Sequence, residues 1–307
     1  MIPDAFTAPG RFFRGNLHTH STRSDGVLEP EEVCRRYRAE GYDFIALTDH
    51  FIGLYGYPIV DTAPFRAAGF TTLLGAELHS GVMENGELWH ILAVGLPPDF
   101  APSNAPHFRP VAGQESGPEL AARARAAGAY VAVAHPHWSG LTEADALSIE
   151  AAHAVEIYNH GCAMEVDRGD GLHMADLLLG KGRRVDLIAT DDAHFDSADA
   201  FGGWVMVKAE ENTPGALLEA LKAGRFYASQ GPELHHVERD GFRMRVACSA
   251  VESVSVQGAG CAAVSVSGRS LTAVELDLSR LAASPWCRVT VRDAAGRRAW
   301  SNPIWVG

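Results

Sequence analysis

Two short motifs carry side chains that could hold a metal ion. His18 and His20 stand two residues apart near the start of the chain. Asp192 and His194 repeat this spacing far along the sequence. Residues two apart on an extended strand point to the same side, so one ion could bind both members of a motif. Imidazole and carboxylate groups are common ligands of Zn, Mn and Fe, so the spacing predicts metal chemistry. No Ser/His/Asp set competes with this interpretation.

More residues of the same kind follow or begin other short apolar runs. They are Asp25, His50, Glu77, His90, His135 and His160. A single histidine at the end of a strand is more often structural than a ligand. Here the pattern recurs in at least five separate units, which favours a shared metal centre. In α/β barrels the carboxyl ends of the strands form the edge where active sites lie.

The apolar runs predict the strands that would position these residues. They cover residues 12–17, 44–47, 71–74, 91–94, 130–134, 155–158 and 185–189. Helix signals follow several of them, at residues 29–41, 118–127, 172–179 and 213–223. This alternation predicts parallel strands and a barrel-like α/β domain over residues 1–231. Residues 51–70 and 97–116 are rich in Pro and Gly and are predicted to be loops.

The pattern changes after residue 231. Residues 243–246, 254–256, 275–278 and 288–292 alternate apolar and polar side chains, and helix signals are absent. Turn signals stand at residues 240–241 and 293–296. We therefore predict a small antiparallel β-domain over residues 232–307.

Composition excludes several classes of function. The formal net charge of −12 argues against binding of nucleic-acid polymers and leaves a small-molecule substrate as the expected partner. The five cysteines are odd in number and include no CxxC, so neither a disulfide framework nor a thiolate zinc site is indicated. No signal peptide and no membrane-length apolar run is visible, so a soluble cytoplasmic protein is expected. The oligomeric state stays open.

In combination, these motifs resemble the PHP (polymerase and histidinol phosphatase) family. The resemblance covers roughly residues 12–230. It depends on the H-x-H pair, the segments 24–26 and 41–50, Glu77, His90, the 134–136 step and Asp192-Ala193-His194. It implies a distorted (β/α)7 barrel that binds two or three divalent metal ions, with Mn, Zn or Fe as candidates.

The resemblance also assigns the ligands. A first metal would bind His18, His20, Glu77 and Asp192. Glu77 would bridge to a second metal on His90 and His135. A third metal would bind Asp25, His50 and His194. Some family members have His at the position of Asp25, and an Asp there weakens a soft-metal site.

The C-terminal part is similar to a PHP subgroup with an appended β-sandwich. Residues 224–232 and 299–304 carry this likeness. The subgroup includes members described as carbamate or amide hydrolases. Three hypotheses follow: a phosphoesterase acting on a small phosphorylated metabolite through a metal-bridged hydroxide, a hydrolase of a carbamate, amide or carboxylic ester on the same metals, and a noncatalytic ligand-binding module.

Other polar residues could assist the chemistry. Arg23, Arg168 and Asn159 are candidates for substrate binding. His137 or His160 could protonate the leaving group because histidine titrates near neutral pH.

Two acids stand beside proposed ligands. Asp49 and Asp191 could hold a ligand histidine in one tautomer, and Asp191 is counted among the catalytic candidates with Glu77. The remaining histidines, His79 among them, are expected to be structural or surface residues.

Overall fold

Helices and strands alternate through most of residues 4–306, the part of the chain that the computed structural model describes. The helices are α1 (Asp4–Thr7), α2 (Pro30–Ala39), α3 (Gly117–Ala126), α4 (Glu143–Ser148), α5 (His160–Val166), α6 (Leu172–Gly180) and α7 (Pro214–Lys222). The strands are β1 (Arg11–Asn16), β2 (Phe44–Leu47), β3 (His50–Phe51), β4 (Thr71–Ser80), β5 (Trp89–Val94), β6 (Tyr130–Val133), β7 (Ala154–Asn159), β8 (Asp186–Thr190), β9 (Trp204–Ala209), β10 (Phe226–Ser229), β11 (Leu234–Asp240), β12 (Arg243–Gly258), β13 (Ala263–Asp277), β14 (Trp286–Arg292), β15 (Arg298–Ser301) and β16 (Ile304–Trp305).

The four predicted helices form close to their predicted bounds because their end signals are strong. Helix α3 begins with a capping box, in which Ser116 and Glu119 satisfy each other's backbone N–H groups. Helices α4 and α5 were missed. They are short, and each depends on a side-chain cap, from Thr142 and Asn159 respectively. Within residues 4–306, no helix is both long and apolar enough to cross a membrane.

The strands that carry the predicted ligands form a mixed sheet. Its order is β9-β1-β2-β4-β5-β6-β7-β8. Strands β1, β2 and β4 are parallel, as are β6, β7 and β8, whereas β5 is antiparallel to both of its neighbours. Strand β9, which the sequence did not predict, is antiparallel to β1. The α/β class is confirmed, but the sheet departs from the regular parallel repeat that was predicted.

The direction of β5 follows from its connection to β4. Residues 81–88 form a short turn without a helix, and Gly86 within it has a φ of +90°. So short a connection joins antiparallel strands, because a parallel pair needs a crossover of a dozen or more residues. The start of β5 therefore lies at the same edge of the sheet as the end of β4.

The C-terminal strands β11 to β16 pair in antiparallel fashion, as predicted from their alternation. Strand β15 also pairs with β10, so the sheet continues from the barrel-like part into the C-terminal part. The inward residues Val254, Val256, Val289 and Val291 are buried together in one core. The division into domains at residue 231 stays a prediction.

Backbone hydrogen bonds join the strand ends at the edge where the ligands lie. The N–H of Asp192 donates to the His18 carbonyl at 2.8 Å, and the N–H of His20 donates to the Ala193 carbonyl at 2.9 Å. The N–H of Thr48 donates to the Thr19 carbonyl at 2.9 Å. The segment after β1 is therefore held between the ends of β2 and β8, which fixes the direction of its two histidines.

Candidate metal centre

All the predicted metal ligands lie together at this edge of the sheet, and they are called the strand-end cluster below. The cluster consists of His18, His20, Asp25, His50, Glu77, His90, His135, Asp192 and His194. Most of its side chains are buried, and several sets of three or four offer ligand atoms within 4.8 Å of one another. The geometry therefore brings the predicted residues into one centre.

Asp192 joins the two histidines that follow β1. Its Oδ1 lies 3.0 Å from His18 Nε2 and 3.0 Å from His20 Nε2. The residue has a φ of +57°, in the left-handed region that Asp tolerates better than most residues. This backbone conformation turns the carboxylate back over the end of β8 toward the H-x-H pair.

Glu77 occupies the middle of the cluster. Its Oε1 lies 2.8 Å from His90 Nδ1 and 3.1 Å from His135 Nε2. Its Oε2 lies 3.6 Å from His20 Nε2 and 3.7 Å from His18 Nε2. The nearest nitrogen to Oε2 is His50 Nδ1, at 2.6 Å. The two oxygens thus face different sets of histidines, an arrangement that a carboxylate bridging two ions could use.

Asp25 forms the third part of the cluster with residues from β3 and the segment after β8. Its two oxygens lie 3.3 Å from His194 Nε2 and 3.3 Å from His50 Nε2. His20 Nδ1 is 3.9 Å from the same carboxylate. Asp25 is more exposed than the other acids of the cluster, so this part of the centre lies nearest to solvent.

The potential ligand atoms of the cluster are arranged more suitably for binding a cation than for hydrogen bonding to one another. His18 Nε2 is buried and has no hydrogen-bond partner among residues 4–306. It is 3.0 Å from Asp192 Oδ1, but this approach lacks hydrogen-bond geometry. Buried polar atoms are nearly always satisfied, so this nitrogen fits the role of a metal ligand.

The charges of the cluster also favour a bound cation. Burial raises the pKa of Glu77, but the surrounding histidines, His50 foremost, outweigh it and hold the pKa well below its usual range. Burial lowers the pKa of His50, but Glu77 and Asp25 outweigh it and raise the pKa to about 10. Burial, with the charges of His194 and His50, lowers the pKa of His20 to about 3. The buried carboxylates thus require positive charge, which protons on histidine or bound divalent ions can supply.

Glu156, on β7, was not predicted from the sequence and supports two of the ligands. Its Oε1 lies 3.0 Å from His18 Nδ1, and its Oε2 accepts a 2.6 Å hydrogen bond from the backbone N–H of His135. Thr190 also donates to it. A fully buried carboxylate behind a ligand histidine fixes the tautomer that leaves Nε2 free to bind a metal.

His79 was expected to be a structural or surface residue, and the structure places it beside the cluster. It is fully buried on β4, two residues after Glu77 and on the same face. Its Nδ1 bonds to the Trp89 carbonyl at 3.2 Å, so Nδ1 carries the hydrogen and Nε2 keeps its lone pair. His50 Nδ1 lies 2.9 Å from this Nε2. The position of His79 two residues after Glu77 on the same strand was the sequence signal that could have identified it.

Asn159 and Asp191 occupy positions different from those predicted. The Asn159 amide donates to Glu156 at 2.9 Å and to Asp192 at 3.0 Å, so both of its hydrogens are engaged in holding acids of the centre. The Asp191 carboxylate accepts from the Tyr37 hydroxyl at 2.8 Å and from the N–H groups of Gly202 and Gly203. Asp191 thus holds the loop before β9, and burial raises its pKa to about 6.

Asp49 shapes the turn after the H-x-H pair. Its carboxylate accepts from the backbone and hydroxyl of Ser21 and from the Ser24 hydroxyl. Ser24 Oγ lies 3.3 Å from His20 Nδ1. Asp49 therefore acts on a ligand histidine through a serine rather than directly.

A cavity of about 980 Å³ opens over the strand-end cluster. Arg168 is the only Arg or Lys that lines it within residues 4–306, and Phe108 and Trp138 form aromatic parts of its wall. Arg23 is absent from this wall. It is exposed and pairs with Glu29 at 3.1 Å, because the turn that carries it projects into solvent.

The two histidines predicted to be general acids also lie outside the cavity wall. His137 is exposed. His160 is half-buried at the start of α5, and its Nδ1 lies 2.9 Å from the Tyr158 hydroxyl. Gly202 lies against the His160 ring, where a Cβ would be 2.2 Å from the imidazole. Neither imidazole lines the cavity, so the structure gives no support to either as the general acid.

Comparison with solved structures shows the fold. The protein is similar to a two-domain protein from Bacteroides vulgatus ATCC 8482 that is described as containing a predicted PHP-like metal-dependent phosphoesterase. The likeness covers 92% of each chain with a TM-score of 0.53, at 17% sequence identity. The resemblance to the PHP family is confirmed at the level of the fold.

Curated relatives match only short segments, and no family model matches the chain. An error-prone DNA polymerase of Cutibacterium acnes is 43% identical over 70 residues, 22% of this chain. A 5'-3' exoribonuclease of Haemophilus influenzae is 54% identical over 35 residues, 11% of this chain. The matches span 6% and 13% of the lengths of these relatives.

Proposed function

We propose that the protein is a metal-dependent hydrolase of a small phosphate ester. The observation that supports this most is the strand-end cluster, in which buried carboxylates and histidines share a centre and His18 Nε2 lacks a hydrogen-bond partner within residues 4–306. The similarity in fold to a protein described as PHP-like agrees with this class of chemistry.

Divalent ions at this centre would supply an activated water and neutralise charge on the ester oxygens. His18, His20 and Asp192 would hold one ion, His90 and His135 a second, and Glu77 would bridge them. Asp25, His50 and His194 would hold a third. His79 adjoins His50 and is a further candidate ligand.

The remaining residues would position and select the substrate. Glu156 and Asn159 hold His18 and Asp192 in place. Arg168 would pair with a phosphate oxygen at the cavity wall. Phe108 and Trp138 would shield the reacting bond from bulk water and contact an apolar group of the substrate.

The acids of the wall restrict the substrate. Glu87, Glu165 and Asp196 line the cavity together with the single Arg168. A second anionic group on the substrate would face these carboxylates and be repelled. We therefore expect a substrate with one phosphate group and a neutral or cationic remainder.

The same wall favours a second candidate, a hydrolase of a carbamate, amide or carboxylic ester. Such substrates carry no phosphate, so one cation besides the metals would suffice to bind them. The two candidates share the metal centre and differ in the reacting group.

The test combines metal analysis with a substrate panel. Protein purified without added metal is assayed for bound Mn, Zn and Fe, and then for turnover with each of Mn and Zn. The panel contains p-nitrophenyl phosphate, a bis(p-nitrophenyl) phosphodiester, an aryl ester and an aryl carbamate. Glu77→Gln serves as the inactive variant, and Glu150→Gln, an exposed residue, is the matched control.

We expect bound metal and turnover of a phosphate ester, with both lost in Glu77→Gln and kept in Glu150→Gln. Turnover of the ester or carbamate alone would transfer the assignment to the second candidate. Ligand binding by a metal-free protein without any turnover would support the noncatalytic module instead.

A further inference from the structure

A second cavity lies on the C-terminal part of the sheet, away from the strand-end cluster. Its volume is about 320 Å³. It is lined by Leu172 of α6 and by residues of β12, β14 and β15. The lining residues from the strands are Ser253, Ser255, Gln257, Arg288, Thr290, Arg292, Arg298 and Trp300.

The strand register places these side chains on one face. Ser253 is opposite Arg292 between β12 and β14, and Arg292 is opposite Arg298 between β14 and β15. Thr290 is opposite Trp300 in the adjacent pair. Because residues two apart share a face, all of these side chains project toward the cavity.

One part of this face is already satisfied. Arg288 is buried and bonds the Asp176 carboxylate of α6 through two nitrogens, at 3.0 and 2.9 Å. Its other terminal nitrogen donates to Gln257 at 3.1 Å and to Thr290 at 2.9 Å. These bonds attach the β-strands to α6. Because all three guanidinium nitrogens of Arg288 are engaged, we assign this residue no part in ligand binding.

The other part has donors without acceptors. Arg292 and Arg298 are directly opposed and exposed, and the side chain of neither has an ion pair or hydrogen bond within the described part of the chain. Like charges directly opposite each other destabilise a sheet. The indole Nε1 of Trp300 is buried and also lacks an acceptor among residues 4–306. The two opposed guanidinium groups, which lack protein partners within the described residues, thus mark a place where an anionic acceptor would be favourable.

We propose that this cavity binds a small oxyanion through Arg292 and Arg298. The guanidinium groups would pair with oxygens of a phosphoryl or carboxylate group, the geometry for which arginine is best suited. Ser253 offers a further donor on the same face. Helix α6 begins at Leu172, so the positive end of its dipole lies at the cavity margin.

This site is independent of the proposed hydrolase function. Its residues belong to strands β12, β14 and β15, and none of them is part of the strand-end cluster. In a protein with a net charge of −12, a local cationic pair stands out as a place where an anion is held. The observations leave the source of the oxyanion, phosphate or carboxylate, to the experiment.

The test is calorimetric titration of the metal-loaded protein with inorganic phosphate, sulfate and succinate at constant ionic strength. The site variant is Arg292→Gln/Arg298→Gln. The matched control is Arg269→Gln/Arg280→Gln, which removes the same charge from exposed residues of the same region outside the cavity. Any binding at the metal centre remains in all three proteins, so the difference between the variants isolates the second site.

We expect the site variant to lose at least tenfold in affinity for one anion equivalent, while the control keeps it. Added anion should raise the melting temperature of the wild type and the control but not that of the site variant. Loss of phosphate and sulfate binding would identify a phosphoryl-type ligand, and loss of succinate binding a carboxylate. Equal binding by the two double variants, or no second equivalent in the wild type, would overturn the proposal.

Discussion

Glu156 is not part of the wall described for the cavity over the strand-end cluster, but it contacts the centre through His18. Its carboxylate lies 3.0 Å from His18 Nδ1 and is fully buried. Glu156→Gln keeps the size of the side chain and removes the charge that makes His18 a stronger ligand. We expect metal affinity to fall by about 10–100-fold, the usual effect of losing such a partner. Chelator competition measures this, and unchanged affinity would contradict it.

Arg168 and Arg23 form a natural pair for comparison. Both were predicted to bind substrate, but only Arg168 lines the cavity, and Arg23 pairs with Glu29 in solvent. Arg168→Gln should raise KM by about tenfold or more, because a hydrogen bond to a charged group contributes roughly 1.5–3 kcal/mol. Arg23→Gln should leave KM unchanged. Steady-state kinetics on the preferred panel substrate tests both, and the reverse order of effects would exclude this role for Arg168.

At this scale the sequence predicted which residues come together in the strand-end cluster but not the residues behind them. His18, Glu77 and Asp192 were found because they follow or end apolar runs and repeat a spacing. Glu156 stands inside an apolar run, where a charge is costly unless paired, and this was a usable signal. The role of Asn159 could not be predicted, because hydrogen-bond partners depend on side-chain positions that spacing does not determine.

Strand direction explains where His90 stands. The other predicted ligands lie near the carboxyl ends of strands or in the segments that follow them. His90, in contrast, is the second residue of β5. Because β5 is antiparallel, its amino end meets the carboxyl end of β4, and His90 faces Glu77. The sequence placed His90 near the start of its apolar run. The predicted alternation of strands and helices implied parallel strands, so it did not explain this position. The short 81–88 segment was the available evidence.

The contact between α6 and β14 gives a prediction at the scale of elements. Arg288 is 3% exposed and bonds the Asp176 carboxylate through two nitrogens. Asp176→Ala would leave a buried guanidinium short of acceptors, and we expect the free energy of unfolding to fall by about 2 kcal/mol. Urea denaturation followed by circular dichroism measures this.

The control for that variant is a surface pair at the other end of α6. Lys181 lies 2.9 Å from Glu143, and both side chains are exposed. Lys181→Gln should change the free energy of unfolding by less than about 1 kcal/mol. A loss from Asp176→Ala no greater than this would mean that the contact with Arg288 contributes little to stability.

The stability of the whole molecule should depend on the ionisation of Asp186, at the start of β8. Burial raises the pKa of this carboxyl to about 7. The folded state therefore binds the proton more tightly than the unfolded state, so the stabilisation is fully present below the ordinary pKa of 3.8 and is lost as pH rises through the folded pKa of about 7. Asp186→Asn removes this loss, so its free energy of unfolding relative to that of the wild type should be greater at pH 8 than at pH 4.5.

Asp99→Asn is the control, because Asp99 is exposed. Its difference from the wild type should be the same at both pH values. Urea unfolding at pH 4.5 and pH 8 gives the comparison. A pH-independent difference for Asp186→Asn would show that this carboxyl is ionised at no net cost in the folded protein.

For the molecule as a whole, sequence patterning predicted the α/β class and the antiparallel C-terminal strands. It did not predict β9 and β10, although the apolar run that begins at Trp204 was a usable strand signal for β9. It also gave no sign that β15 pairs with β10 and joins the two parts of the sheet. Pairing between distant strands depends on the topology, and a local pattern carries no information about it.

The bridge between Thr19 and Ala193 has a consequence for the order in which the molecule is made. Three of the four residues proposed to hold the first ion, His18, His20 and Glu77, are synthesised early, whereas Asp192 follows only after more than half of the chain has been made. A nascent chain that ends before residue 192 can bring together Glu77 and His90 but cannot complete the centre. Tight metal binding would therefore indicate that the segments around Thr19 and Ala193 have come together. A chain truncated before residue 192 is expected to bind the metal weakly and release it.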